Sequence, residues 1–215
     1  MVRLRGDSTV TPKISDLAGE IRRIGFACRR CGLCCRQGQG DTGLVFASRD
    51  EVEAIVTAGA GSRDEVACPY PEFIPCGEGA AVTFGWCLRH DGDRCSLLSD
   101  HGCTVYRSRP WICRTYPFAL VDGELAVSDC PGLGDPISEE DALALAEALI
   151  DRARFEAADE RRVREILGSV PLPAGRRCVV DSSGILVCDG IPPDRPDDRG
   201  FPRNPHVAPR PNRRV

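Results

Sequence analysis

The sequence predicts a small, loop-rich α+β fold with short helices, a β-hairpin and an appended C-terminal helix. Three observations predict it. Thirteen of the 215 residues are cysteines, and eleven of these precede residue 135. Glycine and proline interrupt that cysteine-rich part often, which is typical of loops. Residues 138–168, in contrast, have the apolar spacing of a helix, and hairpin signals occur on both sides of them.

The first helices are predicted from apolar spacing and from a cap. Leu17, Ile21 and Ile24 recur with helical spacing, which predicts a short amphipathic helix leading into the first cysteines. Ser48 and Glu51 have the spacing of a capping box, in which each side chain satisfies a backbone amide of the other residue. A second helix is therefore predicted from this point, and the glycines near residue 60 end it.

The later elements are predicted from turn and cap signals. Asp122-Gly123 lies between alternating residues and predicts a two-residue β-hairpin. Ser138 is the expected N-cap of the long helix, and Gly168 is expected to close that helix in a left-handed conformation. We expect the polar second half of the helix to protrude or to break near Ala158. A second hairpin is expected to turn at residues 182–184.

We divide the chain into five segments. These are a mobile N-terminus (1–13), a cysteine-cluster domain (14–135), a helical extension (136–170), a hairpin (171–191) and a Pro/Arg-rich tail (192–215). We expect the tail to be disordered and solvated, because it has too little apolar surface to offset the entropy of ordering it. Within the second segment, we expect loop between Pro69 and Gly85.

Composition and charge limit the class of protein. The 42% hydrophobic and 28% charged residues are typical of a globular protein, and the net charge of −4 gives no general attraction to nucleic acid. There is no run of about eighteen apolar residues, so no membrane span is expected. The N-terminal residues lack the apolar stretch of a secretory signal, so we expect a cytoplasmic protein.

This expected location affects how the cysteines are interpreted. Disulfides are rare in reducing cytosol, where clustered cysteines more often bind metal or do redox chemistry. An odd number of cysteines also cannot pair completely within one chain. We therefore favour metal or cluster binding over a disulfide scaffold.

The first cysteine run indicates an iron–sulfur cluster. Cys28, Cys31 and Cys34 have the spacing of the first three ligands in bacterial ferredoxins, since a short loop with a ligand at every third residue can surround one cubane. In ferredoxins a fourth, proline-followed cysteine comes from elsewhere, and both Cys130 and Cys68 precede a proline. The adjacent Cys35 is free to reach a second site.

Eight cysteines suffice for two four-thiolate sites. We assign one site to Cys28, Cys31, Cys34 and Cys130, and the other to Cys35, Cys95, Cys103 and Cys113. The remaining cysteines of this region leave room for a third site, with His90 or His101 as a further ligand. These remaining cysteines are Cys68, Cys76 and Cys87.

These residues resemble the YkgJ-type cysteine-cluster family, whose members carry a zinc- or iron-chelating CxxCxxCC domain. The resemblance rests on "CRRCGLCC" (28–35), "CTVYRSRPWICRTYPF" (103–118) and "CPG" (130–132), and it covers about residues 26–133. It implies an iron–sulfur or zinc protein of largely unassigned biochemistry. The chain departs from the family pattern in its additional cysteines and in the residues after 135.

Iron is favoured over zinc at the main sites. Four-thiolate zinc sites normally use two CxxC knuckles, and no second CxxC follows the first run. We expect two [4Fe–4S] clusters, with Zn²⁺ as the alternative. The expected function is electron transfer, or that of an accessory subunit bound to a larger redox or modifying enzyme. The alternatives are a structural zinc module for protein contacts and an enzyme in which one cluster iron is open to substrate.

No catalytic residue is assigned. The sequence lacks the Walker A, G-x-S-x-G, Rossmann and H-E-x-x-H patterns, and it lacks the radical-SAM spacing C-x3-C-x2-C. Arginines near the later cysteines could stabilise an anionic cluster or pair with carboxylates; they are Arg107, Arg109 and Arg114. Four aromatic residues are expected to form core rather than to shield a cluster; they are Trp86, Trp111, Tyr116 and Phe118.

Cys178 and Cys188 flank the second predicted hairpin and could face each other across it. Such a pair could be redox-active or could ligate a metal at an interface. We favour a third interpretation, in which both are small buried hydrophobic residues.

Overall fold

A computed structural model describes residues 12–36 and 44–189. Within them lie five α-helices: Ile14–Ile24 (α1), Arg49–Thr57 (α2), Arg63–Val66 (α3), Trp111–Thr115 (α4) and Glu139–Ser169 (α5). The strands are Phe46–Ala47 (β1), Ala67–Pro69 (β2), Ile74–Pro75 (β3), Ala81–Phe84 (β4), Trp86–Leu88 (β5), His90–Asp91 (β6), Arg94–Cys95 (β7), Leu98–Ser99 (β8), Gly102–Cys103 (β9), Phe118–Val121 (β10), Glu124–Val127 (β11), Arg177–Asp181 (β12) and Gly184–Val187 (β13). The predicted loop-rich α+β class is confirmed. The predicted tail and nearly all of the predicted mobile N-terminus lie outside the described residues.

The largest sheet has the strand order β13-β12-β4-β3 and joins distant parts of the chain. Strand β12 runs parallel to β4, with Cys178 opposite Val82 and Val180 opposite Phe84. The expectation of loop throughout Pro69–Gly85 was therefore wrong for β3 and β4. Strand β4 is short and has glycine and proline nearby, so its own sequence does not predict a strand. It forms because it pairs with β12, about a hundred residues later, and no local pattern indicates that pairing.

Helices α1 and α5 pack together to form one core. The buried faces of these helices include Leu17, Ile21, Leu149 and Ile150, and they enclose Phe118 of the hairpin β10–β11. Ser138 caps α5 as predicted, since its hydroxyl accepts a hydrogen bond from the amide of Asp141 at 3.0 Å.

The second half of α5 differs from the prediction. The helix neither breaks nor protrudes near Ala158, and Gly168 lies inside the helix rather than closing it. Val163, Ile166 and Leu167 pack against the apolar cluster of the largest sheet. This contact with the sheet buries the apolar residues of the second half of α5 and explains why the helix continues there.

The predicted caps and hairpins are present. Ser48 and Glu51 form the expected capping box at the start of α2. Asp122 and Gly123 both have positive φ angles, +53° and +84°, as a two-residue turn between β10 and β11 requires. The second hairpin turns between β12 and β13. The division into five segments stays a prediction, although backbone pairing joins the last hairpin to β4.

A membrane span is not found in the part of the chain that the structure describes, because no helix there is both long and apolar enough.

Candidate metal centre

Backbone hydrogen bonds bring the first cysteine loop against the segment that carries Cys130. The amide of Ala27 donates to the carbonyl of Gly132 at 3.0 Å, and the amide of Gly134 donates to the carbonyl of Gly25 at 3.0 Å. These bonds place Cys28, one residue after Ala27, beside a cysteine about a hundred positions later. The sequence analysis assigns Cys28 and Cys130 to the same site, but it does not predict the backbone hydrogen bonds that bring their segments together.

Only glycine fits at position 132, because the backbone there lies so close to the backbone of Ala27. A Cβ atom at position 132 would lie 2.1 Å from the carbonyl oxygen of Ala27, which is far inside van der Waals contact. Arg29 strengthens the same junction, because its guanidinium makes two parallel hydrogen bonds to the carboxylate of Asp135, at 2.9 and 2.8 Å.

Cys34 and Cys35 lie together in a single 3₁₀ turn, Leu33–Cys35. The turn follows Gly32, whose φ of +73° is left-handed. The two sulfur atoms are 3.9 Å apart. The hydrogen bond between the two thiols is the largest influence on Cys34 and raises its pKa; burial and the charge of Cys35 act in the same direction.

Two short antiparallel ribbons position Cys95 and Cys103. Cys95 lies opposite His90 in the ribbon β6–β7, and Cys103 lies opposite Leu98 in the ribbon β8–β9. A backbone bridge between Arg36 and Arg94 joins the end of the first cysteine run to β7. Through this connection, Cys35 packs against the apolar cluster that also contains Cys95 and Cys103.

Helix α4 presents Cys113, and Glu51 fixes the start of that helix. One carboxylate oxygen of Glu51 accepts from the amide of Trp111 at 2.6 Å, and the other accepts from the amide of Ser48 at 2.7 Å. Glu51 therefore completes the capping box of α2 and also satisfies the first amide of α4. Helix α4 needs this contact because its own N-cap, Pro110, has no capping side chain.

The eight predicted ligands lie close enough to influence one another; we call them the eight-cysteine cluster. The pKa of Cys113 is raised to about 12, mainly by burial and then by the charges of Cys95 and Cys34. Burial also raises the pKa of Cys130. Further upward effects on Cys130 come from Cys31, Cys34 and Cys28. Burial is likewise the main cause that raises the pKa of Cys95, followed by the charges of Cys103 and Cys34.

Of the three arginines near the later cysteines, Arg109 lies closest to the thiols in its effect. Arg109 lowers the pKa values of Cys34 and Cys113 against the larger effects that raise them. Its guanidinium stacks 3.6 Å from the ring centre of Tyr106 and donates to the carbonyl oxygens of Tyr106 and Cys113 at 2.8 and 3.2 Å. Arg114 donates to the carbonyl of Arg109 at 2.5 Å. Both arginines are thus held by backbone carbonyls, whereas Arg107 is exposed.

The predicted core role of the aromatic residues is confirmed for two of the four. Trp86 and Phe118 are both 1% exposed. Trp111 and Tyr116 are only half-buried. Tyr116 lies beside the cluster: its hydroxyl donates to the carbonyl of Asp129, and its pKa is raised to about 12, mainly by burial and then by the charge of Cys130.

Of the other five cysteines, Cys68, Cys87 and Cys178 lie in strands, and Cys76 and Cys188 directly follow β3 and β13. Cys68 and Cys87 face each other across β2 and β5, and both are buried. Cys76 is half-buried against the apolar cluster of the largest sheet. A third site built from these three residues, with His90 or His101, stays a prediction.

Cys178 and Cys188 do not face each other, so that expectation was wrong. The residue opposite Cys178 is Val187, and the two cysteines belong to different apolar clusters, because neighbouring positions of a strand point to opposite faces. Their predicted burial is confirmed at 0% and 2% exposure.

The cysteine thiols are suitable ligands for a metal, but their sulfur atoms do not converge on one position. Among residues 12–36 and 44–189, no three Cys, His, Asp or Glu side chains already form a metal-binding group. None of the thirteen cysteines, all of which are described, forms a disulfide. Thiols that raise one another's pKa in this way resist joint ionisation, and a bound cation removes that resistance.

Sequence reasoning missed three residues that build this region. Arg29 and Asp135 form the ion pair that closes the first junction, and Tyr106 is stacked between Arg109 and Arg30 at 3.6 and 4.5 Å. Tyr106 belongs to the quoted run "CTVYRSRPWICRTYPF", so it was visible as part of a pattern. The Arg29–Asp135 pair spans 106 positions and leaves no local signal.

Comparison with known proteins gives one finding. The CxxCxxCC family model, described as "Putative zinc- or iron-chelating domain", matches residues 27–141, which is more than half of the 215 residues. No curated protein matches the chain, and no solved structure matches it.

Proposed function

We propose, from the premise that this chain belongs to the family of CxxCxxCC zinc- or iron-chelating domains, that it is an iron–sulfur protein with two [4Fe–4S] sites. In this proposal it transfers electrons, or serves as an accessory subunit of a larger redox or modifying enzyme. A protein partner and a cytoplasmic location are parts of the proposal. The observation that carries it is the gathering of cysteines from distant segments: backbone hydrogen bonds join the first run to the segment of Cys130, a bridge joins it to β7, and the sulfur atoms of Cys34 and Cys35 are 3.9 Å apart.

Two subsets of the eight-cysteine cluster support a partition into two sites. The thiols that influence Cys130 are those of the first run, namely Cys28, Cys31 and Cys34. The thiols that influence Cys113 are Cys95, Cys34 and Cys103. Since Cys34 contacts Cys35 directly, this pair lies where the two subsets meet. We assign Cys34 to the first site, with Cys130, and Cys35 to the second.

The chain supplies charge and shielding to such a centre. A four-thiolate [4Fe–4S] cluster, when bound, provides a one-electron couple whose potential depends on net charge, hydrogen bonds and solvent exposure. Arg109 holds a positive charge that lowers the pKa of Cys34 and of Cys113, and its orientation is set by Tyr106 and by two carbonyls. Tyr116 lies near the Cys130 side, because its hydroxyl donates to the carbonyl of Asp129, the residue before Cys130.

Structural zinc is the second candidate, and one observation favours it. Cys95 and Cys103 both lie in short two-stranded ribbons, an arrangement also used by four-thiolate zinc sites. In this alternative the domain would mediate protein contacts without turnover. The spacing of Cys28, Cys31 and Cys34 favours iron instead.

The test is analysis of iron, zinc and acid-labile sulfide in the full chain purified without oxygen. We expect a brown protein with about eight irons and eight sulfides per chain and an EPR signal on reduction. A colourless protein that contains about two zinc ions and no iron would refute the proposal and support the zinc module.

A matched pair of variants relates this result to the site. Cys34→Ala is expected to lower the iron content by about half or more, since one site loses a ligand. Cys178→Ala, in the core of the largest sheet, is expected to leave the iron content unchanged. Equal iron loss in both variants would mean that the loss reports general destabilisation rather than ligation.

A further inference from the structure

An open groove of about 570 Å³ lies between α5 and the layer formed by β1, β4, β5 and α4. Aromatic residues form much of its wall. Phe46 and Phe84 line it with 44% and 38% of their surface exposed, and Trp111 and Phe155 also line it. Apolar rings left open to solvent in a concave surface are typical of a binding site.

The groove is also acidic. Five carboxylates and two guanidinium groups line it: Glu51, Glu156, Asp159, Glu160 and Asp181 against Arg152 and Arg164. The two arginines are already paired with Glu156 and Glu160, at 2.7 and 2.6 Å. Asp159 makes no ion pair with any other residue that the structure describes, so it provides an uncompensated charge in the wall of the groove.

We propose that this groove binds the Pro/Arg-rich end of the same chain, residues 200–215. That segment contains four prolines and four arginines and no acidic side chain, so its charge complements that of the groove. Proline-rich segments bind aromatic-lined grooves because their extended conformation loses little entropy on docking. Residues 200–215 would then be bound to the groove, whereas the sequence alone predicts a solvated tail.

The connection is long enough. The described chain ends after Asp189, which contacts Arg176 and Arg177 at the start of β12. Asp181, at the other end of β12, lines the groove. Four residues of strand separate the two ends of β12, a rise of about 13 Å. The intervening residues 190–199 can span about 30 Å when extended, so residue 200 can reach the groove within one chain.

The experiment places the photo-reactive amino acid p-benzoylphenylalanine at position 201, in place of Phe201, in the full chain. After irradiation, cross-linked peptides are identified by mass spectrometry. We expect position 201 to link mainly to peptides of β4 and of the middle of α5. Chains with heavy and light isotopes are mixed beforehand, so that links within a chain are distinguished from links between chains.

Two charge reversals on the same helix provide the controls. Asp159→Arg, in the groove, is expected to lower the cross-link yield about threefold or more, and raised salt should lower the wild-type yield as well. Glu147→Arg, which is exposed on α5 but does not line the groove, is expected to leave the yield unchanged. Far-ultraviolet circular dichroism confirms that both variants fold.

Three outcomes would overturn the proposal. Cross-links that avoid the groove would show that residues 200–215 do not bind there. Equal losses in the two charge-reversal variants would show that net charge, rather than the groove, controls the yield. Links found only between heavy and light chains would make a second copy the occupant.

Discussion

The cysteines of this chain fall into two populations: the eight-cysteine cluster, and the five cysteines in or next to the three- and four-stranded sheets. In the loops, Cys28, Cys31 and Cys34 are exposed and lie close to further thiols and to arginines. In the sheets, Cys87 and Cys178 are 0% exposed, and Cys178 belongs to an apolar cluster. The same residue type thus serves as a candidate ligand in one region and as a small apolar residue in the other.

The difference between the regions lies in what holds each together. The sheets and the α1–α5 pair bury large apolar side chains such as Ile21, Leu149 and Val179. The segments around the eight-cysteine cluster add only a few buried apolar residues, such as Leu97 and Val105, and isolated bridges such as Arg36–Arg94 also hold them. We infer that metal binding supplies much of the stability of the loop region, while the sheet region is stable through its own core.

Removal of the metal is expected to have the largest effect and to separate the two regions. Treatment with a chelator under denaturant-free conditions should lower the Tm of the cooperative transition by about 10 °C or more. Hydrogen exchange should accelerate in residues 26–36, 94–116 and 128–134, while β12, the β10–β11 hairpin and the first half of α5 keep their protection.

Equal loss of protection in both regions would contradict this account, because it would make the sheet core dependent on the metal as well. Unchanged hydrogen-exchange protection in residues 26–36 would also contradict this account, because the loops would then be stable without the metal.

Gly132→Ala tests the junction between the first cysteine run and Cys130. The added Cβ would meet the carbonyl oxygen of Ala27 at 2.1 Å, so the two segments must move apart, at a cost of about 3 kcal/mol. Metal analysis should show the loss of one site, and chemical denaturation should show the loss of stability.

Gly168→Ala is the matched control. Nothing lies within 4 Å of a Cβ at position 168, which is inside α5, so this change should stabilise the protein by roughly 0.5–1 kcal/mol. A Gly132→Ala protein with unchanged metal content would show that the junction is not needed for the first site.

Two capping boxes of the same design sharpen the comparison at a smaller scale. Glu51 caps α2 and also accepts from the amide of Trp111 on α4, two residues before Cys113. Glu65 makes the equivalent contact with Ser62 alone. We expect Glu51→Gln to cost about 1–2 kcal/mol and to weaken metal retention at the second site, as measured by competition with a chelator.

Glu65→Gln should cost less and should leave metal retention unchanged, because α3 carries no member of the eight-cysteine cluster. If the two variants retain metal equally, the contact between Glu51 and Trp111 does not position Cys113.

Local signals predicted much of this molecule. The Ser48 and Ser138 caps, the Asp122-Gly123 turn and the amphipathic stripe of α1 each depend on residues within one or two turns, and all were found as predicted. The eight candidate ligands were chosen from the first cysteine run, from residues 94–118 and from Cys130, and their role as ligands stays a prediction.

Long-range pairing accounts for what the sequence did not indicate. Strand β4 exists because β12 pairs with it, and the second half of α5 continues because that sheet covers it. The Arg29–Asp135 pair and the approach of Ala27 to Gly132 join segments that are about a hundred residues apart. In each case the stabilising partner is distant in the chain, and a local pattern carries no information about it.

Cysteine alkylation tests the two populations most directly. Metal-loaded and metal-stripped full-length protein are treated with iodoacetamide without oxygen, and the labelling of each cysteine is measured by mass spectrometry. We predict that the eight-cysteine cluster is protected only in the loaded protein, including the exposed thiols Cys28, Cys31 and Cys34. The buried Cys68, Cys87, Cys178 and Cys188 should be protected in both forms. Rapid labelling of Cys28, Cys31 and Cys34 in the metal-loaded protein would contradict their assignment as ligands.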